Sequence, residues 1–350
     1  MASQVSPLFL SLDKKNSWLG QLLKEAAVFH SAPVEREFHW RRLSAEDVAS
    51  EETGPERGLC HIRASEPVKS FFFNPRETVA TLPEKLVPGP VEKRILFGAK
   101  QCDLVPLRVH RKMFLEQEYK DEFYAERRKN TLVIAADCPE PADACFCNLV
   151  GGRPYAARDD ADEADVSLSV VEGGWILEAL TPEGERLVSL AGAVAATEAQ
   201  LTARQASRKK AEEALAKINP KPFAPDTPER IWKRNTDKAF WDKQSEGCVE
   251  CYGCLMTCPT CYCFLLYDKA KGQGAMERTK VWDACYEAAY ARVGGGANPR
   301  AEFYKRFFNR FYCKFSHFKT WQGMYACSGC GRCTKTCMGK IDVRKVVLDV

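Results

Sequence analysis

No stretch of this chain approaches the roughly 18 uncharged apolar residues that a membrane span needs. The richest runs, at 132–136 and 264–267, are only long enough for core strands. A secretory signal is also missing, because the first lysines follow a short apolar run instead of preceding it. Both absences predict a cytoplasmic protein. Histidine is scarce, and none of His30, His39, His61, His110 and His317 falls in an HExxH or other paired-ligand pattern. A histidine-built catalytic metal site is therefore not expected. Nucleotide-binding signatures are absent as well: the glycine run at 294–296 lacks a preceding strand and the G-x-G-x-x-G spacing, and no Walker sequence occurs. No flavin or nicotinamide site is evident. No serine-nucleophile motif stands out, and the acidic stretch 159–165 reads as a solvated loop.

Cysteine is the residue present in excess. The chain has 17 in 350 residues, an odd number without an export signal, which favours metal or redox chemistry over disulfides. Hydrophobic residues at 45% and charged ones at 28% exclude global disorder, and the length fits two or three domains. The net charge of +4 hides an asymmetry. Residues 1–220 carry 29 basic and 34 acidic side chains, whereas 221–350 carry 22 and 13, so the basic excess lies where the cysteines cluster. Part of it can neutralise thiolate-bound clusters, and the rest is a docking or solvated face; no nucleic-acid motif accompanies it.

Along the chain, 18–29 reads as an amphipathic helix, and strands are predicted at 70–73, 94–97 and 131–135 with helices at 104–114 and 121–129 between the last two. Strands at 166–171 and 175–179 flank a turn at 172–174, and another strand is expected at 186–190. Residues 194–217 read as an exposed connecting helix, followed by a proline-rich break at 220–228. Helices are predicted at 229–243, 283–293 and 300–320, the last with Phe303, Phe307, Phe311, Phe315 and Phe318 at core-stripe spacing. The fold class is therefore an α/β domain over 1–193, a linker over 194–228, and a mainly α-helical two-cluster domain over 229–350.

Two motifs carry the chemistry. Cys248-x2-Cys251-x2-Cys254-x3-Cys258-Pro259 and Cys327-x2-Cys330-x2-Cys333-x3-Cys337 each offer three thiolates to one cluster and carry the fourth away. In two-cluster ferredoxins that fourth cysteine ligates the other cluster. The expected ligand sets are thus Cys248, Cys251, Cys254 and Cys337 for one [4Fe-4S] cluster, and Cys327, Cys330, Cys333 and Cys258 for the other. Zinc sites normally pair two C-x2-C knuckles, so this spacing points to iron. The 68 residues between the motifs exceed a small bacterial ferredoxin, and the arrangement resembles the α-helical ferredoxins of respiratory iron-sulfur subunits.

In the N-terminal half, Cys102 and Cys138 follow predicted strands, and Cys145-Phe146-Cys147 lies close behind. Loops at the carboxyl ends of neighbouring parallel strands converge, so these four thiols are expected to hold a third [4Fe-4S] cluster; the alternative is that they are buried small apolar residues. Cys261, Cys263, Cys285 and Cys313 have irregular spacing, and whether they hold a further cluster is left open. Cys60 is read as structural.

The phrases FGAKQCDLVPL, DEFYAERRKNTLVIAADC, CFCN, CVECYGCLMTCPTCYCF, WDAC, GGGANPR and CSGCGRCTKTC together resemble the dicluster ferredoxin subunits of sulfhydrogenases (β) and anaerobic sulfite reductase (A), and relatives beside heterodisulfide-reductase-like complexes. The resemblance runs from about residue 66 to the C-terminus. It implies an electron-transfer subunit whose partners are an NAD(P)H-handling flavoprotein and a catalytic subunit of hydrogenase, sulfite reductase or heterodisulfide-reductase type. Departures are Met338, where proline usually follows the last cysteine, and Cys313, where relatives tend to carry histidine. The expected role is a non-catalytic relay. The alternatives are a reductase acting on a sulfur or disulfide compound at a substrate-accessible cluster, and a zinc-stabilised nucleic-acid module.

Overall fold

The computed structural model describes residues 6–82, 88–272 and 274–350. Residues 1–5, on which the absence of a signal partly rests, lie outside them. Strands β1 (Leu8–Ser11), β2 (Ala27–Val34), β3 (Glu37–Arg42), β4 (Arg76–Leu82), β5 (Arg94–Ala99), β6 (Thr131–Ala136), β7 (Val166–Val171), β8 (Gly174–Ala179) and β9 (Val194–Ala195) precede a C-terminal hairpin of β10 (Phe264–Gly272) and β11 (Ala275–Trp282). Eight of them form one sheet in the order β3-β2-β5-β6-β7-β8-β1-β9. Its centre, β2-β5-β6-β7, is parallel and its flanks are antiparallel.

The central strands are apolar on both faces because both faces are covered. Ile95, Phe97, Ile134 and Ala136 point into a core with Trp18, Leu22, Trp175 and Leu187, while Leu96, Ala99, Val133 and Ala135 point into a second core with Phe72, Leu104 and Leu107. Trp18, Phe97 and Trp175 meet edge-on or tilted with centroids 5.9–6.3 Å apart, the geometry aromatic quadrupoles favour. The N-terminal half is thus an α/β layer structure. Among the described residues no helix is long and apolar enough to cross a membrane.

Several local expectations are corrected. The first helix spans Leu12–Glu25, and Val28 and Phe29 belong to β2, because the following run pairs in parallel with β5. Residues 70–73 lie on a 3-10 turn and its end, not on a strand. Residues 186–190 fall mostly in the helix Pro182–Ser189, started by a Thr181 side-chain cap and a proline in the first turn. The helix Glu198–Ile218 is not simply exposed, since Arg204, Arg208, Ala211 and Leu215 pack inward.

The C-terminal region is helical only in part. The predicted helix at 229–243 is two, Thr227–Lys233 and Lys238–Ser245, separated by a turn with an Asp237 cap. The stretch 283–293 forms turns rather than a helix. The β10–β11 hairpin fills much of the space between the motifs, and β11 pairs with β4 from the N-terminal half. Strand pairing therefore crosses the segment 194–228, expected to be a linker. The aromatic stripe is a core feature: Phe307, Phe311 and Phe315 are fully buried around Trp241 and Val346.

Candidate metal centres

The two cysteine motifs share one backbone design. Glu250 and Tyr252 have φ of 49° and 59°, and the equivalent Gly329 and Gly331 have 62° and 73°. Left-handed residues spaced by two turn successive N–H groups toward one side, forming an anion-binding nest. Holding two non-glycine residues there costs of order 1–3 kcal/mol each, which an unliganded loop would have no reason to keep. Glu250 is anchored by Arg306 at 2.9 Å. In the second motif glycine is required for a further reason: a Cβ on Gly329 would lie 2.4 Å from the Cys147 nitrogen, and one on Gly331 2.4 Å from the Ala144 oxygen.

The motifs cross at their ends. Gly247 and Gly339 meet so closely that a Cβ on Gly339 would stand 1.7 Å from the Gly247 oxygen. This contact brings Cys248 of the first motif beside Cys337 of the second. Cys248, Cys251, Cys254 and Cys337 line one narrow cleft that also has Cys333, Tyr286, Phe307 and Arg310 in its wall. Cys258 goes the other way: it is buried, 3.2 Å from the Thr260 hydroxyl, and its charge acts on Cys327 and Cys333.

The surroundings fit an anionic cluster. Arg310 and Lys314 are about 4% exposed, yet among the described residues neither pairs with a carboxylate. Lys314 Nζ donates to Thr260 Oγ1 and the Ala326 carbonyl, and Arg310 Nε has no hydrogen-bond partner. An uncompensated buried cation costs several kcal/mol, so negative charge on the neighbouring sulfurs is what makes these positions tenable. Burial pushes the free thiols up, Cys333 to about 11 and Cys147 to about 12, so binding iron must displace protons. Among the described residues no three cysteine, histidine or acidic groups could hold a single metal ion. The donor sets are all sulfur and follow the three-at-x2, fourth-at-x3 spacing of ferredoxins, which suits a multi-iron group better than zinc.

The N-terminal thiols come up against the second motif. Cys102 sits at the start of the helix Gln101–Phe114 after β5, and Cys138 just beyond β6. Phe146 N donates to the Gly329 carbonyl at 2.8 Å, docking the 145–147 segment on the 329–331 loop, and the Phe146 ring enters the C-terminal core. Cys147 faces Cys145 and Cys138, and Arg63 Nη1 lies 3.7 Å from the Cys145 sulfur. Cys102 shares Lys100 and Arg63 with Cys138, but its own thiol faces Cys330. Arg63 Nε and Arg332 Nη1 are buried donors without partners beside these sulfurs.

Arg332 also ties the halves together through a 2.8 Å ion pair with Asp103, both almost fully buried. Arg332→Ala removes the ion partner of the buried Asp103 carboxylate and leaves it only the Lys100 amide at 3.2 Å, so it is expected to cost roughly 3–5 kcal/mol. Anaerobic thermal unfolding checks this, and a change under about 1 kcal/mol would contradict the burial argument.

Cys60 is exposed, at the rim of a cleft with Cys138 and Arg208. Sequence spacing did not group Cys261, Cys263, Cys285 and Cys313, but all four line one further cavity. The signal that could have joined them is the second C-aromatic-C segment, Cys261-Tyr262-Cys263, which repeats the form of Cys145-Phe146-Cys147.

Residues 247–341 match the family described as 4Fe-4S dicluster domain. The match supports an iron-sulfur electron-transfer role for the chain. Outside the dicluster domain the likeness extends further: the chain is 29% identical over 299 residues to Sulfhydrogenase 2 subunit beta of Pyrococcus furiosus, covering 84% of this chain and 86% of that protein. No solved structure matches. The dicluster match contains all eight cysteines of the two motifs and the crossing glycines.

Proposed function

We propose that this chain is the iron-sulfur relay subunit of a larger oxidoreductase complex, set between a subunit that handles flavin and NAD(P)H and a catalytic redox subunit. The observation that carries the reading is the docking of the 145–147 segment on the 329–331 loop, which stacks the N-terminal thiols on the second ferredoxin motif. Metal used only for stability would not require separate cysteine groups to touch. In this reading Cys248, Cys251, Cys254 and Cys337 hold one cluster, Cys258, Cys327, Cys330 and Cys333 a second, and Cys102, Cys138, Cys145 and Cys147 a third.

When bound, such clusters take up and release single electrons. The chain's own residues set the conditions. Phe307, Phe311, Phe315 and Trp241 wall the motifs from water. The Gly329 amide donates to the Cys327 sulfur at 3.4 Å and the Ile341 amide to the Cys337 sulfur at 3.3 Å, stabilising thiolate and favouring the reduced state. Arg310 and Lys314 act in the same direction. Likeness to a sulfhydrogenase β subunit supports a hydrogenase-type complex as the setting, and 17 cysteines suit a reducing cytoplasm. The flavoprotein partner rests on the family resemblance.

The test is anaerobic. Dithionite should reduce the purified full chain while NAD(P)H alone leaves it oxidised, and adding the complex's flavoprotein subunit should confer reduction by NAD(P)H. Stoichiometric reduction by NAD(P)H alone would mean that the chain has its own nicotinamide or flavin site and is not a pure relay.

A further inference from the structure

We infer that Cys261, Cys263, Cys285 and Cys313 form a fourth iron-sulfur site, of the [4Fe-4S] class, beside the two ferredoxin motifs. The relay reading needs only the three ligand sets named above, so this site goes beyond it.

Three separate elements deliver the thiols. Cys261 and Cys263 lie on the extended segment entering β10, where alternate residues share a side. The β10–β11 hairpin then returns the chain, and the Asp283 amide donates to the Cys263 carbonyl at 3.0 Å, setting Cys285 beside its predecessor. Cys313 comes from a π-helical turn, Tyr312–His317, inside the aromatic helix. One inserted residue rotates the following side chains by about 100°, and such turns concentrate at functional sites. The helix gives up regular hydrogen bonding where a cysteine faces the cavity, so packing of the aromatic stripe alone does not account for the turn.

The cavity has a volume of about 290 Å³ and opens to solvent. Within it the Cys285 thiol faces Cys263 and Cys313. Tyr290 donates its hydroxyl to the Cys263 sulfur at 3.4 Å, and the Tyr262 hydroxyl stands 3.5 Å from the Cys313 sulfur. Arg310 and Lys314 line the same wall. Lys69, about 2% exposed, donates to the Cys261 carbonyl at 3.3 Å and lies over the Trp282 ring, again without a carboxylate partner among the described residues. Cysteines buried merely as small apolar residues would not be surrounded by unpaired cations and hydroxyl donors. Four thiols brought to one cavity by three elements are the donor set of a cubane cluster. Loading it replaces four thiol protons with iron-sulfur bonds.

The experiment compares the full chain with its Cys263→Ser/Cys285→Ser variant, both reconstituted anaerobically with ferrous iron and sulfide. The variant is expected to hold about four fewer irons and four fewer labile sulfides per chain, the content of one cubane. Equal counts overturn the fourth site and leave the relay untouched, whereas absence of iron from both proteins overturns the relay itself. Should the double variant not fold, Cys285→Ala, which keeps a small buried side chain, replaces it: loss or conversion of one cluster in the Mössbauer spectrum supports the site, and an unchanged spectrum overturns it.

Discussion

Cys258→Ala is expected to damage the cluster built mainly from Cys327, Cys330 and Cys333, which lie about 70 residues away in sequence, and to spare the one built from its own motif. The variant should lose up to about four irons per chain while the spectrum of the Cys248 set persists. The physical reason is the crossing of Gly247 over Gly339. That contact pulls Cys337 toward Cys248, and it sends Cys258 inward to Cys327 and Cys333. Electron paramagnetic resonance of the reduced protein separates the two sets. Loss of the Cys248 set alone would mean that each motif keeps its own fourth cysteine.

Gly339→Ala should be the most disruptive substitution that touches no ligand. Its Cβ would be 1.7 Å from a backbone oxygen, and a Cβ on Gly247 would likewise meet the Gly339 oxygen at 2.7 Å. Neither atom is the end of a flexible side chain, so the crossing itself must open. A cost on the order of 3–5 kcal/mol is expected, in the range of the severest point substitutions. Cys337, two residues upstream, should release its cluster before the rest of the chain unfolds. Gly294→Ala is the control: nothing lies within 4 Å of its Cβ, so its effect should stay within about 0.5 kcal/mol. Anaerobic melting followed at the cluster absorbance and by circular dichroism measures both, and equal melting of the two variants would contradict the crossing.

Much of the architecture was legible because it is local. The strands β5 and β6 are unbroken apolar runs, and β7 and β8 flank a glycine turn with φ of 78° at Gly173. The eight motif cysteines declare themselves by spacing. What was not legible depends on contacts distant in sequence. The β10–β11 hairpin carries exposed Leu265, Leu266 and Met276, so no polar and apolar alternation marks it, and its partner β4 is almost 200 residues away. Without that hairpin in view, Cys263 and Cys285 have no reason to meet. The π-helical turn under Cys313 is equally hidden, since the phenylalanine spacing continues through it and reads as one regular helix. The helix expected at 283–293 failed for the opposite reason: its composition suits a helix, but the chain there turns to bring Cys285 back to the cavity.

Thiolates of this chain are expected to hold iron and inorganic sulfide together. Iron, zinc and acid-labile sulfide should therefore be measured on the same anaerobically purified full-length sample. A brown protein with iron and sulfide in equal amounts, at least about eight of each per chain, is the expected result. A colourless protein containing zinc and no labile sulfide would contradict it.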